Sequence, residues 1–331
     1  MRPNHSLKLT RRGAELDSDV GLHINRLRNR MPASTTQEQH RSGLQYLEAA
    51  TALLQRVRRV DQTAGLLEAA DLQWWWRTPR KSDDLPQLFW FDGDGLPEAA
   101  VVITDWGDGV ALDPIVMPDA TPDWTRHVLQ CGLAHASNLG FKEVEVVVDR
   151  TDEVARGLLV RHGFVVKSSE KLDVVLAGLP SAARSTVGTP PRGYRMYTRA
   201  ETRHRAHHMI RRNGNELEAR LAQASLYSAD LDLLLLDDRG ELAAYGQFWF
   251  DAATSTGLVE PMRTEDSHQR RSLARCLLDT GIERLTAAGA KNIKVCFRPA
   301  NVAARDLYLG AGFKPYKRTI ILSQTETGGA A

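Results

Sequence analysis

Ala304-Arg305-Asp306-Leu307-Tyr308-Leu309-Gly310-Ala311-Gly312-Phe313 restates, 149 residues on, the stretch Ala155-Arg156-Gly157-Leu158-Leu159-Val160-Arg161-His162-Gly163-Phe164. The same offset holds upstream, where Gly140-Phe141-Lys142-Glu143-Val144-Glu145-Val146 aligns with Gly289-Ala290-Lys291-Asn292-Ile293-Lys294-Val295. Solenoids repeat every ~20–50 residues. A period of domain length instead means two copies of one fold. A chain of 331 residues also suits two units of ~100–200 residues each.

Composition narrows the class. With 42% hydrophobic and 25% charged residues and a net charge of +2, the chain has the balance of a globular protein and no excess charge to recommend a nucleic-acid partner. Cys131, Cys276 and Cys296 form no CxxC pair, so neither a disulfide framework nor a zinc site is expected, and a reducing cytoplasm fits best. No apolar run approaches the ~18 residues that a membrane span needs. Residues 1–30 are basic but lack the apolar core of a secretory signal. Residues 1–40 are therefore read as a disordered extension, or as sequence upstream of a true start at Met31.

Periodicity supplies the elements. Leu44, Leu47, Ala50, Leu53, Leu54 and Val57 have helical spacing and predict a helix over 42–59. Strands are predicted over 87–91, 99–104 and 110–116, a helix over 124–138, a strand over 144–148, a short helix over 154–162 and a last strand region over 164–175. A Gly-, Pro- and Ser-rich stretch over 179–193 reads as a linker. The order then recurs, with helices over 201–212 and 217–224, strands over 232–236, 243–250 and 257–264, a helix over 273–288, a strand over 293–297, a helix over 303–310 and a strand over 317–322. A second domain over 194–324 thus follows a first over 41–178, with a disordered tail over 325–331.

Between a strand and a helix stands Met262-Arg263-Thr264-Glu265-Asp266-Ser267-His268-Gln269-Arg270-Arg271-Ser272-Leu273-Ala274. The first N–H groups of a helix have no intrahelical partner and its dipole favours negative charge there, so such a junction is suited to an anion. Arg270 and Arg271 add positive charge. A pyrophosphate would fit.

Gln269-Arg270-Arg271-Ser272-Leu273-Ala274 resembles the Q/R-x-x-G-x-G/A acetyl-CoA loop of the GNAT N-acetyltransferases, and Asn301…Ala304…Leu307-Tyr308…Gly312-Phe313 resembles their C-terminal N-x-x-A…L-Y…G-F motif. The two occur in family order with a strand between them. The resemblance spans roughly 194–323, with a weaker copy over roughly 42–178. It implies an α/β (α+β) protein of two GNAT-like domains, each a mixed, mostly antiparallel twisted sheet flanked by helices. It implies an acetyl-CoA-dependent transfer to an amine by direct attack in a ternary complex, carried out in the second domain without a metal.

The roles implied fall on particular residues. Backbone N–H groups from Arg270 through Arg275, with Gln269, Ser272, Leu273 and Ala274, would hold the pyrophosphate. The strand at Met262, Arg263 and Thr264 would pair with the pantetheine arm, which Asn301, Ala304 and Arg305 would also meet. Tyr308 matches the tyrosine that protonates the departing thiolate. Glu260 is the candidate base, because strict alternation along the strand would set it on the face of Met262 and Thr264. Ser272 departs from the family pattern: glycine is usual where backbone approaches a ligand closely.

The first copy lacks these features. Its equivalent loop is two residues shorter and carries Pro122, which donates no N–H, and the acids Asp119 and Asp123. Leu159 stands opposite Tyr308 and Asp152 opposite Asn301, although Asp113-Pro114 does align with Glu260-Pro261. This half reads as structural or substrate-lining. Trp74-Trp75-Trp76 cannot all face one core, so at least one ring is expected to meet the other domain or a ligand. His204, His207 and His208, if helical, share a face that suits an anionic acceptor's entrance or a solvated basic surface better than a metal. Arg298 and Tyr227 are further pocket candidates, and Cys276 and Cys296 read as core. The acceptor, a small-molecule or peptide amine, stays open, as does monomer against homodimer. The rival reading is a non-catalytic acyl-CoA sensor or protein-interaction module.

Overall fold

The computed structural model describes residues 36–180 and 188–324. All but the last few residues of the predicted extension lie outside these, as do 181–187 of the predicted linker and the predicted tail over 325–331. The first half runs β1 (Gln37–Arg41), α1 (Gly43–Val60), α2 (Ala69–Trp75), a 3₁₀ turn (Lys81–Asp84), β2 (Gln87–Phe91), β3 (Pro97–Asp105), β4 (Val110–Val116), α3 (Pro122–Asn138), β5 (Glu145–Asp149), α4 (Glu153–Arg161), β6 (Phe164–Val166) and β7 (Val175–Pro180). The second runs β8 (Tyr194–Thr198), α5 (Ile210–Asn213), α6 (Leu217–Gln223), β9 (Asp232–Asp237), β10 (Leu242–Asp251), β11 (Thr256–Thr264), a 3₁₀ turn (Asp266–His268), α7 (Leu273–Ala287), β12 (Asn292–Phe297), α8 (Val302–Gly310) and β13 (Lys314–Gln324).

The strands form one continuous sheet in the order β1-β2-β3-β4-β5-β13-β7-β12-β11-β10-β9-β8, with β6 pairing to β13. All neighbours are antiparallel except β4 with β5 and β11 with β12. The mixed, mostly antiparallel α/β architecture expected from the sequence is therefore present. Helices cover both faces, which is why β2 and β10 are buried almost throughout rather than on alternate residues. Leu47, Ala50, Leu53, Leu54 and Val57 turn the α1 stripe onto β2 and β3. Gly132 in α3 and Gly281 in α7 occupy equivalent places in the two copies. A Cβ at Gly132 would come within 2.7 Å of Val101, and one at Gly281 within 2.0 Å of Phe248. Both glycines let a helix settle directly on its strand.

The last strands are exchanged. In β13, Thr319–Ser323 pairs with Asp149–Glu145 of β5, inside the first half. Conversely β7 pairs along its length with β12, inside the second half. The two exchanged strands also pair with each other, from Lys314↔Gly178 to Arg318↔Val175. Each half thus completes the other's sheet.

Some expectations give way. The single strand region over 164–175 is two strands, β6 and β7, separated by a loop. The polar strand β1 lies in residues read as extension; it carries no apolar alternation because it is a sheet edge. The helix expected over 201–212 is a run of turns ending in the short α5. Glu201 Oε2 accepts from the Thr198 backbone N–H at 2.7 Å and from its hydroxyl at 3.0 Å, and the Arg199 guanidinium bonds the Thr202 carbonyl. These side-chain bonds compete with the helical ladder.

Candidate acyl-transfer site between the halves

The parallel pairing of β11 with β12 covers only Thr256↔Asn292, Gly257↔Ile293 and Leu258↔Lys294. Beyond it β11 follows β10, with Gly246↔Met262, Tyr245↔Arg263 and Ala244↔Thr264, while β12 follows β7. The strands part, and the β11 edge at Met262, Arg263 and Thr264 loses its sheet partner on that side. An extended amide-bearing chain could pair there.

Directly after β11 the chain turns into α7. Ser272, its N-cap, has φ +62° and makes no side-chain cap; Arg270 has φ +58°. The first backbone bond of the helix runs from Cys276 N–H to Ser272 C=O at 3.0 Å. The N–H groups of Leu273, Ala274 and Arg275 are left without intrahelical acceptors. The positive φ explains why glycine is usual at position 272. Arg271 donates to Tyr194 Oη at 2.9 Å, and that hydroxyl contacts His268 Nδ1 at 3.0 Å. Among the described residues, neither Arg270 nor Arg271 has a carboxylate within ion-pair reach, whereas Arg275 is held by Asp279 at 2.7 Å and Arg263 by Asp266 at 3.3 Å. Gln269 Nε2 bonds Asp266 at 3.2 Å. The free positive charge at this turn is therefore that of Arg270 and Arg271.

Glu260 sits where the register between β10 and β11 slips, so strict alternation does not set it on the face of Met262 and Thr264. That inference fails for Glu260. Its carboxyl lies close enough to that of Asp71, which α2 brings in from the first half, for each to perturb the other. Burial raises both carboxyls above their usual range, and the Glu260 charge raises Asp71 further. Tyr308 is buried between Phe297 and Phe313, at ring distances of 6.0 and 5.9 Å. Burial pushes its phenol up, and the charges of Glu260 and Cys296 add to the effect. The sequence reading brought together Glu260 and Tyr308; it did not foresee Asp71.

Other titratable residues surround Glu260. Cys296, read as core, is instead exposed as a residue, with the carboxyls of Asp71, Glu260 and Glu68 near its thiol. Burial raises the thiol well above its normal value, and Asp71, Glu260 and Glu68 reinforce this. Cys276 is buried as expected. Lys294 donates to the Glu68 carboxylate and, at 2.7 Å, to the Gln62 carbonyl; Arg58 binds the same Glu68 at 2.6 Å. This buried triad ties β12 to α1 and to the residue before α2. Arg77, whose guanidinium is depressed to about 10 by burial and by Arg80, lies near Glu260. The tryptophan run bridges the halves as expected. Trp74 meets Trp249 edge-on at 6.4 Å, and Trp76 Nε1 donates to Gln223 at 2.8 Å.

Asn301 caps α8, its Oδ1 accepting from Ala304 N–H at 3.1 Å. Asp152 caps α4 in the same way, through Ala155 N–H at 2.9 Å. The Asn-to-Asp difference between the copies therefore preserves a cap and says little about chemistry. The side chain of Leu273 is core, Ala304 packs against that core, and Arg305 pairs with Asp306 at 3.0 Å. In the first half, β4 and β5 also diverge, pairing only at Ala111↔Glu145. There, however, the Thr121 hydroxyl already accepts from Trp124 N–H at 3.1 Å, and Pro122 begins α3. Leu159, opposite Tyr308, is core.

His207, His208 and Asp232 are the one group of metal-ligand type among the described residues. Each histidine Nε2 lies 3.1 Å from an Asp232 oxygen, off the line of a good hydrogen bond. Burial alone would raise Asp232, but His208 and His207 hold it down at about 2. A shared metal does not suit this geometry. His207 Nδ1 accepts from Met209 N–H at 3.2 Å, which leaves its proton on Nε2. The two rings are stacked at 4.5 Å and 25°, so their in-plane lone pairs do not converge. His204 takes no part. Tyr227 donates to Asp232 at 3.0 Å and belongs to this network instead of the pocket, while Arg298 is exposed. No helix among the described residues is long and apolar enough to cross a membrane.

A parted parallel strand pair leading into an open helix start is the arrangement that the GNAT resemblance implied, and the comparisons agree with that family. The sequence profile of the acetyltransferase (GNAT) family matches residues 194–313; this segment belongs to that family. No curated protein matches the chain. Among solved structures, a tandem GNAT protein from the clavulanic acid biosynthesis pathway is similar over 90% of this chain and 100% of its own, with TM-score 0.62 and 14% identity. An acetyltransferase from the GNAT family of Colwellia psychrerythraea covers 87% and 100%, with TM-score 0.57 and 12% identity. A GCN5-related N-acetyltransferase from Sphaerobacter thermophilus covers 89% and 96%, with TM-score 0.55 and 14% identity. At such identities the likeness concerns the fold, over nearly the whole chain.

Proposed function

We propose that the protein transfers an acetyl group from acetyl-CoA to an amine of a small molecule or peptide, in the second half, by direct attack in a ternary complex. The observation that carries this reading is the divergence of β11 from β12 immediately ahead of the uncapped start of α7. The N–H groups of Leu273, Ala274 and Arg275, with Arg270 and Arg271, would hold the pyrophosphate. Met262, Arg263 and Thr264 would hold the amide arm. Glu260 would take the proton of the acceptor ammonium, and Tyr308, whose phenol burial keeps protonated, would supply one to the leaving sulfur. The equivalent turn of the first half, filled by its own cap, is left a structural role.

Calorimetric titration of acetyl-CoA into wild-type protein and Arg271→Glu, with the stoichiometry fitted, tests this. One site, weakened at least tenfold in the variant, is expected. Two sites would return a cofactor role to the first half. No binding would overturn the proposal. Binding without turnover across a broad panel of amines would favour an acyl-CoA sensor.

A further inference from the structure

Two strands stop in the middle of the sheet. β5 ends at Asp149, beside Thr319 of β13, and β12 ends at Phe297, beside Val175 of β7. Val175 also pairs with Arg318 of β13, so only the two exchanged strands separate these ends. The chain leaves the sheet there for α4 in one copy and α8 in the other, and a cleft of about 450 Å³ opens between the two exits. Small-molecule sites usually measure ~300–1,000 Å³. Its surface is mainly apolar, with Val175 and Pro315 from the exchanged strands, Phe297 from β12 and Leu309 from α8, which keeps 40% of its surface exposed. Arg150, Arg305, Lys317 and Arg318 also line it, against the single carboxylate of Asp149. Arg305 is already paired with Asp306 at 3.0 Å and Arg318 with Asp173 at 3.1 Å. Asp149 Oδ1 accepts from the Thr151 N–H and hydroxyl at 3.0 and 2.8 Å, and Oδ2 lies 3.9 Å from Lys317. Lys317 donates to the Gly65 carbonyl at 2.9 Å, and burial holds its ammonium below the usual range. The Arg150 side chain makes no ion pair among the described residues. With Asp149, Asp173 and Asp306 set against the four cations, one positive charge is left over, and Arg150 is the cation free to carry it.

We propose that this cleft is a second ligand site, separate from the acetyl-CoA turn, and that it takes a small amphipathic monoanion: a carboxylate on an aromatic or branched aliphatic body. A guanidinium receives a carboxylate through two parallel N–H···O bonds, so Arg150 takes the head while Val175, Phe297 and Leu309 cover the apolar body. A phosphate monoester brings two negative charges to one surplus positive charge and to the Asp149 carboxylate. A neutral ligand of the same shape leaves the Arg150 charge unmet. No residue of the turn from Gln269 to Arg275 or of the β11 edge lines the cleft; of the residues for which the family resemblance implied a cofactor contact, Arg305 alone does. The site exists because the chain is double, since the loop after β5 comes from one copy and the end of β12 with α8 from the other. It does not depend on the acetyl-transfer reading.

The test is a calorimetric titration of naphthylacetate into the full chain at about pH 8, repeated with its neutral amide, with naphthyl phosphate (a dianion at that pH) and in the presence of excess acetyl-CoA. One site is expected for the carboxylate, with the amide and the phosphate each bound at least about tenfold more weakly. Arg150→Gln should weaken the carboxylate at least about fivefold, because hydrogen bonds to a charged group are lost. Arg150→Lys should recover only part of this, since an ammonium cannot form the two-pronged contact. Leu309→Glu should abolish binding by setting a carboxylate in the apolar wall. Both positions are exposed, and unchanged circular dichroism checks the fold of each variant. Acetyl-CoA should leave the affinity within about twofold. No binding at millimolar naphthylacetate overturns the proposal, as does an affinity that Arg150→Gln and Leu309→Glu leave unchanged. Equal binding of the amide, or tighter binding of the phosphate, overturns the assignment to a monoanion. Displacement by acetyl-CoA would make the cleft part of the cofactor site, and the separate site would fall.

Discussion

The indole of Trp249 donates its N–H to the backbone carbonyl of Glu260 at 2.7 Å. The same ring receives the edge of Trp74 from the first half at 6.4 Å, so the strand turn carrying Glu260 is held by a side chain that is itself held by the other copy. Trp249→Phe should cost about 1–3 kcal/mol by leaving that carbonyl unpaired, and Trp74→Ala about 3–5 kcal/mol by opening a cavity. In urea denaturation the double variant should fall short of the sum by at least about 0.5 kcal/mol. Strict additivity would mean that the clamp is two unrelated contacts.

Ser272 occupies the left-handed region at φ +62°, which disfavours any residue with a Cβ by ~1–2 kcal/mol. Glycine recovers part of this and loses ~0.5–1 kcal/mol of chain entropy. Ser272→Gly should therefore raise the thermal midpoint slightly and leave the start of α7 more open to acetyl-CoA. A lowered midpoint would count against the conformation described for this turn.

Asp113 is a buried carboxyl whose Oδ2 has no partner, and burial alone lifts it from 3.8 to about 7. The folded chain holds this proton more tightly than the unfolded chain does. Its contribution to stability is full below about pH 4, declines as pH rises, and is lost once pH has passed through about 7. A shift of this size corresponds to at most about 4 kcal/mol. Asp113→Asn should remove the slope and gain stability relative to wild type between pH 5 and pH 8, whatever constant cost it adds. Parallel stability–pH curves for the two proteins would refute the assignment.

The strand exchange predicts that neither half folds alone. A fragment ending before β8 lacks the β13 partner of β5, and one starting at β8 lacks the β7 partner of β12. Each fragment should show weak near-ultraviolet circular dichroism and aggregate, while co-expression of the two should restore a one-to-one complex. An independently folded, monomeric second half would contradict this.

Much of this was legible in sequence because it is local. The offset that relates Gly132 to Gly281 and Leu159 to Tyr308 gave two copies of one fold, and the apolar spacing from Leu273 onward gave the helix whose start is left without a side-chain cap. What was lost depends on which strand lies beside which. An apolar run such as Val175–Pro180 reads as a buried strand, but nothing in it names β12 as its neighbour. Glu260 was assigned its role on an argument that fails, since the register slip in β11 breaks the alternation invoked for it. Asp71 carried only a helix-start signal, Glu68-x-x-Asp71 before an apolar run. Its second partner lies 189 residues away in sequence. His207 and His208 were read on a helix that side-chain bonds at Thr198, Arg199 and Glu201 prevent.

The exchange of β7 and β13 makes this chain the covalent counterpart of a swapped two-fold dimer. Two separate subunits joined by such strands would come apart on dilution and refill their own sheets; here each copy's missing strand arrives at fixed effective concentration, in every molecule. Neither copy can be discarded without opening the other. A copy whose turn is filled by its own cap must still keep its fold, because its strands complete the partner's sheet.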